Sequence, residues 1–181
     1  MKHQPEILAT QTLAKTRLFH IEQVDLQFAN GTTVQFERMC GSPQGAVLIV
    51  PMLDDDTVVL IREYAAGTGR YELALPKGRI GRDEPIIDAA NREIMEEIGY
   101  GAHQLTHLTS MTLAPSYSNQ TTHIVLAEGL YPQQAEGDEP EPIESVRWSL
   151  RDLPGLLAQQ DLTEARSIAA LYMVRDLLQN R

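Results

Sequence analysis

Between Gly78 and Tyr100 the chain reads GRIGRDEPIIDAANREIMEEIGY, and no other stretch restricts its fold and chemistry so tightly. A glycine-rich loop opens the stretch, Pro85 turns it and Gly99 closes it. The spacing between them predicts an amphipathic helix. At about 100° per residue, Glu93, Glu96 and Glu97 fall on one face. Ile87, Ala90, Ile94 and Ile98 fall on the opposite, core-seeking face. Gly99 suits the left-handed residue that ends a helix. Carboxylates stacked one turn apart repel by roughly 0.2–0.5 kcal/mol per pair. A hard divalent cation removes that cost, because Mg²⁺ and Mn²⁺ take oxygen ligands and share them with waters and phosphates. Taken alone, the glutamates also fit a solvated acidic face.

The rest of the chain reads as a support for this stretch. Residues 1–16 read as an irregular lead-in and 17–38 as a β-hairpin. Val24, Leu26 and Phe28 alternate, Asn30-Gly31 supplies a type I′ turn, and Val34 and Phe36 resume the alternation. A two-stranded ribbon is marginal alone, so it must dock on the main body or on a second copy. GSPQG at 41–45 reads as a joint, which divides the chain into an appendage at 1–45 and a main domain at 46–181. Ala46 to Pro51 and Thr57 to Ile61 read as buried strands, with Asp54 to Asp56 as a turn between them. Tyr71 to Leu75 leads into Pro76-Lys77-Gly78.

After Gly99, strands are expected at 105–113 and 122–128, separated by a turn at Ala114 to Ser118. PQQAEGDEPEP at 132–142 is an acidic, proline-broken loop unsuited to helix or central strand. Ile143 to Leu150 returns as a strand, in which Trp148 is a packing residue. A short helix at 151–159 precedes a capping-box-like start at Asp161-Leu162-Thr163-Glu164. A final helix follows, with Ile168, Leu171, Val174 and Leu178 as its apolar stripe.

Composition narrows the classes of function. A chain of 181 residues with 43% hydrophobic content can bury one substantial core. Its single Cys40 excludes an internal disulfide framework and fits a reducing cytoplasm. The opening residues lack a long apolar run, and no later run reaches the length of a membrane helix, so neither export nor a membrane partner is expected. A formal charge of −10 argues against a nucleic-acid surface. It leaves room for a small phosphorylated substrate, since bound cations invert the charge of a site.

The fixed positions Gly78, Glu84, Arg92-Glu93, Ile94, Glu96-Glu97 and Gly99 match the Nudix box, with Tyr100 in its last, usually aliphatic place. The chain thus resembles a Nudix hydrolase. LIREYAAGTGRYEL, APSYS and EGDEPEP resemble the ADP-ribose pyrophosphatase branch, whose marker proline corresponds to Pro115, sixteen positions after Gly99. The resemblance implies an α+β Nudix fold: an α/β/α sandwich with a mixed β-sheet, plus a small N-terminal β-hairpin subdomain. It implies that Glu93, Glu96 and Glu97 face Mg²⁺ or Mn²⁺, with the carbonyl of Lys77, just before Gly78, as a further ligand. Arg92 would orient the glutamates and Glu84 would support the same network. In the late loop Glu139 and Glu141 are candidates for one more carboxylate, and either Glu96 or Glu139 is the general base.

Arg62, at a strand end, is placed to fork phosphate or ribose oxygens, and Pro115 and Tyr117 are expected beside the substrate. The chain departs from the branch at Ala65 and Ala74, which widens the expected substrate range. The implied reaction is cleavage of ADP linked to another moiety (ADP-ribose, NADH or diadenosine polyphosphates) to AMP and a phosphorylated remainder. Two other readings remain: an enzyme specific for dinucleoside polyphosphates or NADH, and a nucleotide sensor without catalysis, which the intact glutamates disfavour. A homodimer is implied, with the 17–38 hairpin swapped or docked.

Overall fold

The structure, a computed structural model, describes residues 3–137 and 140–180. The chain divides into two units, 1–45 with 112–121 and 46–111 with 122–181.

In the first unit β1 (Glu6–Lys15), β2 (His20–Gln27) and β3 (Thr33–Met39) form an antiparallel sheet in that order. The irregular lead-in expected at 1–16 is therefore mostly a strand. All ten residues of β1 are exposed, and its pairing with β2 shifts register between Ile7 and Ala9 and again between Thr12 and Ala14. A strand with no buried face carries no alternation to read.

The β2–β3 hairpin forms as expected but with a different turn. Phe28 N–H donates to the Thr32 carbonyl (2.9 Å), and Gly31 N–H donates to that of Phe28 (2.8 Å). Gly31 takes a positive φ of 84°, while among the described residues Asp83 is the one non-glycine that does so. Asn30 is thus not left-handed, and the loop is a three-residue connection closed by a left-handed glycine. The loop at 112–121 joins this unit because Met39 N–H donates to the Tyr117 carbonyl (2.7 Å) and Gly41 N–H to Asn119 Oδ1 (2.7 Å).

The second unit contains β4 (Ala46–Pro51), β5 (Thr57–Ala65), β6 (Arg70–Ala74), β7 (Lys77–Arg79) and α1 (Ile86–Glu97). These are followed by β8 (Tyr100–Thr112), β9 (Thr121–Pro132), β10 (Glu144–Ser149), a single 3₁₀ turn, α2 (Leu153–Leu157) and α3 (Ala165–Gln179). One sheet is mixed, in the order β7-β4-β9-β8, with β4 parallel to β9 and antiparallel to β7. The other, β10-β5-β6, is antiparallel.

Alternation along β4 explains the layers. Leu48 and Val50 enter a core cluster with Leu171 and Val174 of α3, whereas Val47 and Ile49 enter another with Ala90 and Ile94 of α1. The sheet layer therefore lies between α1 and α3, and the α/β/α sandwich with a mixed sheet is what the chain forms. Strand β8 begins five residues earlier than expected, and β9 is longer than expected at both ends. Trp148 packs against the α3-side cluster and donates its indole N–H to the Asp152 carbonyl (3.0 Å).

Two local expectations are corrected. The segment after Pro76, read as loop, includes β7, whose three residues pair with Ala46 to Leu48 of β4. The cap of α3 is Glu164 rather than Asp161, and its carboxylate accepts the backbone N–H groups of Arg166 and Ser167. Asp161 is engaged elsewhere, accepting Arg62 Nε at 2.9 Å.

Candidate active site

The glutamate helix enters from Pro85, whose extended φ of −65° and ψ of 145° make it the N-cap, and leaves through Gly99 at φ +73°. Ala89, Ala90 and Ile94 are fully buried. Glu93 and Glu97 are nearly so, each 7% exposed. The carboxylate face is thus folded inward against β7, which separates it from an ordinary solvated acidic face.

Arg92 gathers the carboxylates. Its Nε donates to Glu84 Oε1 (2.9 Å), its Nη1 to Glu93 Oε1 (2.7 Å) and Glu96 Oε2 (3.0 Å), and its Nη2 to Glu84 Oε2 (3.1 Å) and the Arg79 carbonyl (3.0 Å). Glu84 also accepts Gly81 N–H at 2.6 Å, which closes the glycine loop over the pair. The hydrogen bonds from Arg92 hold the Glu84 carboxyl below its usual range. The guanidinium is in turn held firmly protonated, chiefly by Glu84.

Gly78 is fixed by close approach. A Cβ built there would lie 1.9–2.1 Å from the carboxyl atoms of Glu93, so the carboxylate occupies the space any other residue would fill.

Glu97 Oε2 accepts the Lys77 backbone N–H at 2.9 Å, and Lys77 Nζ pairs with Glu63 at 3.0 Å. Burial is the largest influence on Glu97. Against the opposing charge and N–H of Lys77, and aided by the charges of Glu93 and Glu63, it pushes the carboxyl up to about 8. Relative to a free carboxylate that is a charging cost on the order of 5 kcal/mol. A divalent cation offsets such a cost, and Glu93, Glu96 and Glu97 supply the all-oxygen donor set it prefers. The residues present fit a Mg²⁺-class ion.

Glu96 and Glu97 line a cavity of about 500 Å³ with Gln134, Gly137, Pro140 and Glu141 of the late loop, among others. Gln134 was not anticipated. Its side-chain amide donates to the Met95 and Glu96 carbonyls at 3.2 Å, pinning the loop to the end of α1. Tyr71 was missed as well: its hydroxyl donates to Glu141 Oε1 at 2.6 Å. Both act across long sequence separations, and nothing in their local sequence signals it. Glu139, with Asp138, lies outside the described residues.

Arg62 has a different occupation from the phosphate or ribose contact expected of it. Its guanidinium is divided between Glu144 (2.6 Å) and Asp161 (2.9 Å), pairing β5 with β10 and with the segment before α3. Pro115 and Tyr117 lie in the first unit, lining a cavity of about 620 Å³ with Ile7, Leu26, Phe28 and Phe36.

Comparison with known proteins accounts for this arrangement. The NUDIX domain family matches residues 42–171, and the NudE-type Nudix hydrolase N-terminal domain matches residues 5–38. The chain belongs to the Nudix hydrolase family. It is 48% identical to the ADP compounds hydrolase NudE of Escherichia coli over 98% of this chain and 95% of that one. It is 26% identical to an ADP-ribose pyrophosphatase of Bacillus subtilis over 93% of this chain and 94% of that one. A crystal structure of an ADP compounds hydrolase superposes with a TM-score of 0.92 at 47% identity, covering 99% of this chain and 97% of its own.

Two outcomes are expected at this site. Gly78→Ala displaces the Glu93 carboxylate, the movable end of a flexible side chain, so the variant should fold but lose about 100-fold or more in metal-dependent turnover. Near-normal turnover would remove Gly78 from the site's construction. In metal-free protein, Glu97 keeps its proton up to about pH 8 when folded and releases it near 4.5 when unfolded. The folded state binds the extra proton in that interval, so stability falls as pH rises from 4.5 towards 8. Thermal melts in chelator should show this slope flattened in Glu97→Gln; equal slopes would refute the burial argument.

Proposed function

We propose that this Nudix hydrolase cleaves ADP linked through its diphosphate to a second moiety, releasing AMP and a phosphorylated remainder, with Mg²⁺ or Mn²⁺ held by Glu93, Glu96 and Glu97. The observation that carries the reading is the inward-facing glutamate cluster gathered by Arg92, in a chain nearly half identical to an ADP compounds hydrolase. A diphosphate resists hydrolysis because its own charge repels the attacking oxygen. Bound divalent ions would neutralise that charge and acidify a water.

The chain's own residues do the positioning. Arg92 holds Glu93 and Glu96 in one geometry, and Glu84 holds Arg92. Gly78 leaves room for Glu93, and the Lys77 backbone N–H aims Glu97. Lys77 is also assigned a supporting role through its carbonyl. Glu96, fixed by Arg92 at Oε2 and lining the cavity, is assigned as the proton acceptor. Glu141, held by Tyr71 and lining the same cavity, is assigned as the late loop's carboxylate, for which Glu139 is the alternative. Ala65 and Ala74 favour a substrate range wider than ADP-ribose.

A homodimer is proposed in which the first unit forms the contact, in a cytoplasmic setting that suits the free Cys40. The support is apolar exposure on that unit. Ile7, Leu8, Leu13, Leu18, Phe19 and Phe36 are each 44–59% exposed, a concentration uncommon on an uncovered surface. Among the described residues no helix is long and apolar enough to cross a membrane.

Purified protein is expected to release AMP from ADP-ribose, NADH or diadenosine triphosphate only with Mg²⁺ or Mn²⁺ present. Glu97→Gln should cut that rate by about 100-fold or more, ~2.7 kcal/mol of barrier, with its fold intact. Wild-type rates in the variant, or no metal-stimulated AMP from any of the three, would sink the assignment. For the dimer, Ile7→Asp combined with Phe36→Asp should yield a monomer by light scattering; an unchanged dimer would remove that face from the contact.

A further inference from the structure

A second group of ligating side chains lies in the first unit, outside the glutamate cluster. His20 and Glu22 are two apart on β2 and so share a face of the sheet. The β2–β3 register sets Glu22 opposite Arg38, and Cys40 N–H donates to the His20 carbonyl at 2.8 Å, setting Cys40 opposite His20. Imidazole, carboxylate and thiol thus occupy one corner. Their ligand atoms all lie within 4.8 Å of one another, and all three residues are half-buried.

Arg38 organises the corner. Its Nε and Nη2 both donate to Glu22 Oε2, at 3.1 and 2.9 Å. That leaves Oε1 turned towards His20 Nε2, 3.6 Å away. The Cys40 sulfur lies within 4.8 Å of the same carboxylate. A guanidinium fixing one oxygen so that the other faces a neighbouring ligand is the supporting arrangement metal ligands commonly have.

We propose that His20, Glu22 and Cys40 form a second metal site, selective for a zinc-class ion rather than for magnesium. The donor set decides the class: nitrogen, oxygen and sulfur together suit Zn²⁺, whereas Mg²⁺ takes oxygen alone. Tetrahedral Zn²⁺ with bonds of about 2.0–2.3 Å needs donors roughly 3.3–3.8 Å apart. The His20–Glu22 separation already meets this, and the thiol closes the remainder by side-chain rotation. On binding, the Cys40 S–H bond breaks, a sulfur–metal bond forms and one proton leaves to water. Thiolate and carboxylate then balance the two positive charges, so Arg38 is left facing a neutral centre. His20 gives up its contact with Thr12 Oγ1 (3.1 Å), and the fourth position is open to water. The site ties the start of β2 to the residue after β3, where the chain leaves this unit for Ala46.

The chain has one cysteine, so a thiolate-to-metal signal has a single source. Full-length metal-free protein titrated with Co²⁺, in Mg²⁺ sufficient to occupy the glutamate cluster, should develop a saturable near-ultraviolet thiolate-to-cobalt band. The glutamate cluster, all oxygen, gives no such band. Zn²⁺ should displace the band, Cys40→Ser should abolish it, and His20→Gln should weaken its midpoint by about tenfold or more. Independently, stoichiometric Zn²⁺ should slow alkylation of Cys40 in the wild-type chain by about tenfold or more. No band in the wild type, an unmoved midpoint in a folded His20→Gln protein, or alkylation indifferent to Zn²⁺ would each overturn the site.

Discussion

The arrangement depends on one electrostatic constraint: Arg92 must reconcile carboxylates that would otherwise repel. A guanidinium offers donors in a rigid plane, so one side chain can hold Glu84, Glu93 and Glu96 at once. A lysine at the same position would present its donors from one compact point on a flexible stem, without the rigid planar spread of the guanidinium. The cores on either side of β4 serve this arrangement. They set α1 against β7 closely enough that Glu93 fills the space above Gly78, and the same approach brings the Lys77 amide to Glu97. A small rotation of α1 would break both contacts together, which ties the packing of Ala90 and Ile94 to the geometry of the site.

What was legible in the sequence followed from local period and fixed spacing. The glutamate helix, its proline entry and its glycine exit could be read because they depend on residues within a few turns of one another. The strands around it could be read where one face or both are buried. Three features were beyond reach for identifiable reasons. Strand β7 is too short to show a period. Strand β1 has no buried face to produce one. The inward tuck of Glu93 and Glu97 contradicts simple amphipathicity, which assigns carboxylates to the wet side; for Glu93 it is the absence of a side chain at Gly78 that makes it sterically possible.

Long-range partners were the other blind spot, and they altered two roles. Arg62 and Asp161 were each given local work, as an oxygen-binding arginine and a helix cap, yet they bond to each other across the fold. With Asp161 so occupied, Glu164 takes over the cap. There it accepts from Arg166 and from Ser167, whose hydroxyl in turn receives the Leu75 amide. The start of α3 is thereby bonded to the strand end that leads to Lys77. The late loop behaves similarly: its glutamates were conspicuous in sequence, but what brings Glu141 to the cavity is Gln134 at one end and Tyr71 at the other.

The distribution of charge bears on what the cavity can accept. Three carboxylates, Glu84, Glu93 and Glu96, surround one guanidinium, with Glu97 buried nearby on the Lys77 amide, in a chain whose formal charge is −10. Lys77, the nearest lysine in sequence, directs its ammonium to Glu63. Such a cluster disfavours a diphosphate at the range where Coulomb forces act, and burial resists placing a charge on Glu97 as well. On the proposed reading, attraction would arrive with cations that both partners coordinate. On that metal-dependent reading, the charge that disfavours an anion here would favour a cation, so recognition of the diphosphate and its activation would depend on one set of contacts.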